Sequence, residues 1–215
     1  FEIFGFFKLG KMDSLKYSNK IFKLHLNQYI KSISPKTEFL SNKDKLTPVN
    51  AALYLTNMKK SCRDKVMLEI GPGNSIISAL YGYGSGFTKI YLIDVGNFAT
   101  KNLKFYKNAA PFLKREGLRI PDIYNAKSVE EILNSCNAKY LTNGLESLKD
   151  IETNSVDFVF SSSVLEHIRK RELPETIIQL GRIMKKEGIS SHNIDLQDHL
   201  SNSLNHLRFS ERIWE

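Results

Sequence analysis

Glycine and acidic residues occur in this sequence at a spacing that suits the binding of a ligand. The run 66–75, VMLEIGPGNS, places Glu69 just before Gly71 and Gly73. Glycine lacks a Cβ atom, so the backbone can turn sharply and a ligand can approach it closely. Asp94 follows about twenty residues later, a spacing at which a carboxylate can accept hydrogen bonds from both hydroxyls of a ribose. The pattern is typical of a nucleotide-binding turn.

Two later segments contain candidate proton acceptors. The run 156–167, VDFVFSSSVLEH, ends in His167, which is either a base or a structural histidine at a helix start. The run 192–199, HNIDLQDH, is a dense polar cluster that can bind a substrate, with His199 as a second candidate base. If this segment is a strand, alternation would place His192, Ile194 and Leu196 on one face of the strand. A metal site is the least favoured use of this cluster, because its ligands follow no recognised spacing.

Short apolar runs alternate with helical stretches from Lys65 onward. The predicted strands are 66–70, 89–95, 138–142, 155–161 and 188–195, and the predicted helices are 75–83, 98–116, 128–135 and 173–186. This alternation predicts an α/β fold with right-handed crossovers and a mostly parallel sheet covered by helices on both faces. Ligands of such sheets bind at the carboxyl ends of the strands, where the polar residues fall.

Several nucleotides are compatible with a glycine turn followed by an acid. A dinucleotide fingerprint needs a third glycine three residues after the second, and that position is Ile76. A phosphate-binding loop needs Gly-Lys-Ser/Thr, which the sequence lacks. NAD and ATP are therefore disfavoured.

The acid-x-Gly-x-Gly turn, the acid that ends strand two and the segment DFVFSSSVLEHI together resemble class I, Rossmann-like S-adenosylmethionine-dependent methyltransferases. The similarity covers about residues 65–200 and is greatest to the type 11-like small-molecule branch. The resemblance implies sheet order 3-2-1-4-5 and S-adenosyl-L-methionine as the cofactor. A Rossmann-type oxidoreductase and a non-catalytic nucleotide-binding domain are the alternatives.

The resemblance implies cofactor-binding roles for Glu69, Gly71, Gly73, Asp94, Asn143, Leu145, Ser161 and Ser162. Glu69 and the glycines would line the methionine and ribose portions, although Glu69 can instead be a structural carboxylate that bonds loop amides. Asn143 and Leu145 would lie near the adenine, and many relatives have an aspartate where Asn143 stands. Ser161 and Ser162 would border the cofactor and face the transferred methyl group.

The two ends of the sequence depart from a complete domain of this class. Members of the class finish with two more strands that form an antiparallel edge, but only 16 residues follow the 192–199 cluster. We expect that this edge is missing or that the fold is reduced. The sequence also begins without methionine, which favours a fragment of a longer protein.

The net charge of +8 lies entirely in residues 1–65, which hold 13 Lys and Arg against 5 Asp and Glu. We expect residues 1–64 to form a basic helical appendage or lid and residues 65–215 to form the cofactor-binding domain. An apolar stripe at helical spacing is formed by Leu15, Phe22, Leu26, Tyr29, Ile30 and Ile33, and Lys16, Lys20, Lys23 and Lys31 lie largely off it. Such a helix can pack on the domain, touch an anionic membrane or nucleic acid, or close over a substrate. A second helix is expected at 48–61, capped by Thr47.

The sequence predicts methylation of a small-molecule or carbohydrate-like (saccharide) acceptor on oxygen or nitrogen. An RNA methyltransferase that uses the N-terminal lysines is the alternative, although no Asn-Pro-Pro-Tyr-type motif follows strand four. No run approaches the roughly 18 apolar residues of a membrane span and no signal peptide is recognisable, so a cytoplasmic protein is expected. Cys62 and Cys136 are isolated, which argues against a disulfide framework and a zinc site.

Overall fold

The structure is a computed structural model that describes residues 11–33, residues 48–197 and the single residues 204, 208 and 210. Two predictions fall outside these residues. They are the capping of the second helix by Thr47 and the role of His199 as a base.

The elements of the described part follow the predicted alternation. The helices are α1 (Lys11–Ile33), α2 (Pro48–Cys62), α3 (Ile77–Ser85), α4 (Leu103–Arg115), α5 (Val129–Ser135), α6 (Leu145–Lys149) and α7 (Leu173–Ile183). The strands are β1 (Val66–Ile70), β2 (Lys89–Ile93), β3 (Ala138–Leu141), β4 (Val156–Ser162) and β5 (Met184–Asn193). A short 3₁₀ helix, Leu165–His167, follows β4.

The strands pair in parallel in the order β3-β2-β1-β4-β5. The predicted α/β fold and strand order are therefore confirmed. Ile70, at the end of β1, pairs with Ile93 of β2 and with Ser161 of β4. This register brings the glycine turn (Gly71 to Gly73), Asp94 and the serine run (residues 161–167) to one edge of the sheet.

Each face of the sheet has its own apolar core, because successive strand residues point to opposite faces. Met67 and Phe158 contribute to the core formed with α1 to α5, and Leu68 and Val159 to the core formed with α6 and α7. Ile76, which occupies the position of the third dinucleotide glycine, is buried in the first of these cores. Helices on both faces fix the central strands, whose carboxyl ends carry the candidate site.

Helix α1 packs directly on the sheet. Leu15, Phe22, Leu26, Tyr29 and Ile30 of its apolar stripe are buried, while Ile33 at its end is exposed. Tyr29 stacks on Phe158 of β4 with ring centroids 4.9 Å apart. Lys23 forms an ion pair with Glu116, just beyond α4. The apolar stripe is thus covered by the sheet, and the exposed part of α1 includes Lys16, Lys20 and Lys31.

The boundary between α7 and β5 differs from the prediction. The helix ends at Ile183 rather than at Lys186, because Met184 is extended (φ −70°, ψ 140°) and pairs with Val156 of β4. The pairing then shifts register before Ile189, and β5 ends at Asn193. The prediction that Ile194 and Leu196 share a strand face with His192 is therefore wrong, since both follow the strand.

Helix α4 also begins later than predicted, at Leu103 rather than at Phe98. Asn102 caps it by accepting a hydrogen bond from the Lys104 amide. The Phe98 amide is instead bonded to the Tyr140 hydroxyl. None of the described helices is long and apolar enough to cross a membrane.

Candidate active site

The glycine turn after β1 has the backbone conformation that glycine favours. Gly71 and Gly73 have φ values of +69° and +65°. A Cβ atom on Gly71 would collide with the side chain of Val164, whereas a Cβ atom on Gly73 would meet nothing within 4 Å. Gly71 therefore allows close packing of the turn after β4, and Gly73 leaves open space above the turn.

Asp94 joins this turn to the end of β2. Its Oδ2 accepts a hydrogen bond from the Gly73 amide at 3.0 Å, and its Oδ1 accepts one from the Val95 amide at 2.8 Å. Burial raises the pKa of Asp94 above its usual value, and these two hydrogen bonds oppose that shift. The carboxylate is thus held in place at the carboxyl edge of the sheet.

Glu69 lies in β1, two residues before Gly71, and its side chain is half-buried. Its Oε2 is buried and has no hydrogen-bond partner among the described residues. Burial raises the pKa of Glu69 to about 8, the neighbouring charge of Asp94 adds to the shift, and a hydrogen bond from Ser78 opposes it. Glu69 is therefore largely protonated at pH 7, and any positive charge brought near it would favour its ionisation.

The turn after β3 reaches the same edge. The Gly144 amide donates a hydrogen bond to the Asp94 carbonyl oxygen at 2.8 Å. Asn143 is exposed, and Leu145 is half-buried as the first residue of α6. Val95, which directly follows Asp94, is 78% exposed, so an apolar side chain stands at the edge of the site.

The two serines at the end of β4 have different surroundings. Ser161 is fully buried, and its hydroxyl is hydrogen-bonded to Nδ1 of His192 on β5 at 2.7 Å. Nε2 of His192 is bonded to the Ser190 hydroxyl at 2.5 Å. Burial lowers the pKa of His192, so its ring is neutral at pH 7. Ser162 is half-buried and is the last residue of the strand.

The opposite face of β5 contacts α1 through a second histidine. His25 is buried, and its Nδ1 is hydrogen-bonded to the Ser191 hydroxyl at 2.8 Å. Burial lowers the pKa of His25 to about 4, and repulsion by the His192 ring, which becomes protonated in acid, adds to the shift. Both faces of β5 are therefore fixed by a serine-histidine hydrogen bond.

The loops after β4 and β5 are joined to each other. The Ser163 amide donates to the Asn193 carbonyl oxygen at 2.8 Å. Oε1 of Glu166 accepts a hydrogen bond from the Asp195 amide at 3.0 Å. His167 is exposed at the end of the 3₁₀ helix, and its amide donates to the Val164 carbonyl oxygen.

Two residues of this edge, Val95 and Glu166, were not among the predicted site residues. Val95 had a local signal, since it is an apolar residue directly after a strand-end acid. Glu166 lies inside the serine run, but its partner Asp195 is 29 positions away. His192 belongs to the predicted polar cluster 192–199, and the β4–β5 register places it beside Ser161. Within residues 11–33 and 48–197, no group of three His, Cys, Asp or Glu side chains is arranged to hold a metal ion.

Solved structures with a similar arrangement include a proposed S-adenosylmethionine-dependent methyltransferase from Listeria monocytogenes, with 17% identity, a TM-score of 0.39, and 67% of this chain and 54% of that chain covered. A second is a proposed S-adenosylmethionine-dependent methyltransferase from Methanococcus maripaludis, with 14% identity, a TM-score of 0.40, and 89% and 67% covered. A third is the DhpI-SAM-HEP complex, with 12% identity, a TM-score of 0.39, and 92% and 72% covered.

The aligned part amounts to about half the length of the first of these structures.

The sequence itself gives a direct assignment. No curated protein matches the chain significantly. The family model described as "Methyltransferase domain" (Methyltransf_11) matches residues 68–191, which is more than half of the chain. The matched part runs from β1 to β5 and contains the glycine turn, Asp94 and the serine run. The resemblance is thus confirmed, and the chain belongs to this methyltransferase domain family, the type 11 branch of the class I S-adenosylmethionine-dependent methyltransferases.

Proposed function

We propose that the chain transfers a methyl group from S-adenosylmethionine to a hydroxyl or amine group of a small-molecule or carbohydrate-like acceptor. The observation that carries the proposal is the hydrogen bond between the Gly73 amide and Asp94, together with the open space next to Gly73. This arrangement combines a closely approachable backbone with an anchored carboxylate. Both features suit a nucleoside with free ribose hydroxyls.

The residues at this edge fit the cofactor. A carboxylate has about four lone-pair positions, and Asp94 uses two of them on the Gly73 and Val95 amides. The remaining positions can accept hydrogen bonds from ribose hydroxyls. The exposed side chain of Val95 lies beside Gly144 and offers an apolar surface to the adenine, with Asn143 and Leu145 on either side of Gly144 in the sequence.

Glu69 supports the binding of a positively charged ligand. Its Oε2 is buried and lacks a hydrogen-bond partner within the part of the chain that the structure describes, and burial raises the pKa of its carboxyl group to about 8. When bound, S-adenosylmethionine would supply its sulfonium methyl group: a nucleophile attacks the methyl carbon in line, the C–S bond breaks and S-adenosylhomocysteine leaves as a neutral thioether. A cation near Glu69 lowers the cost of ionising it, so the pKa of Glu69 is expected to fall when the ligand binds.

The loops after β4 and β5 are the proposed acceptor side of the site. Methyl transfer needs the nucleophile and the methyl group in a near-attack arrangement, and a base only when the acceptor must lose a proton. Ser162 borders the cofactor at the end of β4, whereas Ser161 contributes its backbone there, because its hydroxyl is bonded to His192. His167 is exposed on this side and stays a candidate base, as does His199.

Contacts with nucleic acid or an anionic membrane through residues 15–33 stay predictions. The apolar stripe of α1 is packed against the sheet, so such a contact would depend on exposed lysines such as Lys16, Lys20 and Lys31. Binding of this kind would weaken strongly as the salt concentration rises. RNA binding that is independent of salt, or absent, would reject the RNA methyltransferase alternative.

The test is an untargeted methyl-transfer screen. The full chain is incubated with S-[methyl-³H]adenosylmethionine and the small-molecule fraction of a cell extract, and labelled products are separated by chromatography. We expect a labelled small product with the native chain and its loss with Asp94→Ala. Cofactor binding without transfer to any component would instead favour a non-catalytic domain.

A further inference from the structure

Glu166 occupies a distinctive place between the two loops of the acceptor side. It lies in the 3₁₀ helix Leu165–His167, directly after the segment in which Val164 packs over Gly71. Glu166 therefore lies close in sequence to a residue that packs on the glycine turn, and its side chain extends toward the loop after β5. This location follows from the pairing of Ser162 with Asn193 at the ends of β4 and β5.

The two carboxylate oxygens of Glu166 differ. Oε1 accepts the hydrogen bond from the Asp195 amide at 3.0 Å, which attaches the loop after β5 to the 3₁₀ helix. Oε2 is buried and has no hydrogen-bond partner among the described residues. Buried polar atoms in folded proteins nearly always have a partner, and leaving one unpaired costs free energy. An unpaired carboxylate oxygen is thus an acceptor that a bound molecule can satisfy once a small movement of the neighbouring side chains uncovers it.

The loop held by Glu166 also exposes apolar side chains. Ile194 and Leu196 flank Asp195, and they are 48% and 67% exposed. Asp195 in turn accepts a hydrogen bond from the Gln197 amide, which gives the loop a turn of its own. An oxygen acceptor beside exposed apolar residues is the usual composition of a small-molecule site.

We propose that Oε2 of Glu166 binds a hydroxyl or amine group of the methyl acceptor, while Oε1 holds the loop after β5 over it. The ligand chemistry is a hydrogen-bond donor, X–H, attached to a small carbohydrate-like molecule. This inference rests on the proposed function, since it assigns the acceptor to the site next to the cofactor. Glu166 is then an acceptor-binding residue rather than a spacer beside His167.

Glu166→Gln separates the two oxygens. The amide oxygen of glutamine can still accept the Asp195 amide, so the loop stays attached. Its NH₂ group replaces the unpaired oxygen with a donor, which opposes an X–H group of the acceptor. The variant should therefore keep the fold and the cofactor site and lose affinity for the acceptor.

The experiment measures calorimetric binding of D-glucosamine and D-glucose to the full chain loaded with S-adenosylhomocysteine. We expect the native chain to bind at least one of the two sugars and Glu166→Gln to bind it at least tenfold more weakly, with S-adenosylhomocysteine affinity within twofold. Binding of glucosamine alone identifies an amine as the donor, and binding of both sugars identifies a hydroxyl. Glu187→Gln, at an exposed position of β5, serves as the matched control and should bind like the native chain.

Other outcomes overturn the inference. Equal sugar binding by the native chain and Glu166→Gln, or no sugar binding by the loaded native chain, rejects the role of Glu166 and leaves the proposed function standing. Failure of S-adenosylhomocysteine itself to bind rejects the proposed function. If Glu166→Gln does not fold, Glu166→Asp replaces it, and a shorter carboxylate is expected to lose the same affinity.

Discussion

The Gly73 amide donates a hydrogen bond to Oδ2 of Asp94 at 3.0 Å, which joins the turn after β1 to the end of β2. The Gly144 amide donates to the Asp94 carbonyl oxygen, so the turn after β3 is attached to the same residue. Asp94 thus organises three loops around the proposed cofactor site. A change in any of these loops is expected to affect cofactor binding more than it affects the distant core.

The two glycines of the turn should respond differently to alanine. Gly73→Ala meets open space, so its structural cost is limited to the positive φ, about 1–2 kcal/mol, while its methyl group enters the proposed cofactor space. Gly71→Ala carries the same strain and also collides with Val164. We expect Gly73→Ala to lose S-adenosylmethionine affinity with modest destabilisation, and Gly71→Ala to be the less stable protein in urea unfolding. Equal stability of the two variants would contradict this assignment.

Cofactor affinity should depend on pH through Glu69. Its carboxyl group is protonated in the free protein up to a pKa of about 8, and a cationic ligand favours the ionised form. Binding of S-adenosylmethionine is therefore expected to tighten between pH 6 and 8 and to release protons. In Glu69→Gln this pH dependence should be smaller, as measured by calorimetry in buffers of different ionisation enthalpy. An unchanged pH dependence in the variant would show that another group is responsible.

Folding stability should fall in acid because of His25. Its pKa is about 4 in the folded chain, against 6.5 for an unperturbed histidine. The unfolded state therefore takes up the proton first, and the stability contributed by neutral His25 is lost as the pH falls from 6.5 through 4. His25→Gln should reduce this loss in urea unfolding at pH 7 and pH 5. An equal loss of stability between pH 7 and pH 5 in His25→Gln and in the native chain would contradict this assignment.

The hydrogen bond between Ser161 and His192 should contribute to stability. Ser161→Ala leaves Nδ1 of the half-buried His192 without this partner, at a cost of about 1–3 kcal/mol. Ser162→Ala, at the neighbouring half-buried position, is expected to cost less. The comparison is made by chemical unfolding of the full chain. If Ser162→Ala is the more destabilised variant, the Ser161–His192 bond is not an important constraint on β5.

The features that were predicted from the sequence are those with local signals. The glycine turn and Asp94 are positioned by short segments, and the burial of Leu26 and Tyr29 follows from helical spacing alone. Alternating strands and helices restrict the topology strongly, which is why the class of sheet could be predicted.

The missed features depend on partners that are distant in sequence. Ser161 and His192 are 31 positions apart, and they meet only because β4 and β5 pair after a register shift. His25 and Ser191 are 166 positions apart and meet because α1 packs on β5. The end of α7 at Ile183 was equally hidden, since pairing of Met184 with Val156 overrides a helical pattern that continues to Lys186.

The central claim is that the edge formed by Gly73 and Asp94 binds S-adenosylmethionine. Its most direct test is calorimetric titration of the full chain with S-adenosylmethionine and S-adenosylhomocysteine, together with Asp94→Ala, after circular dichroism has shown that both proteins are folded. We predict micromolar binding of both ligands to the native chain and at least a tenfold loss in Asp94→Ala, equivalent to about 1.4 kcal/mol or more. Binding of neither ligand to the folded native chain, or equal binding by Asp94→Ala, would contradict the claim.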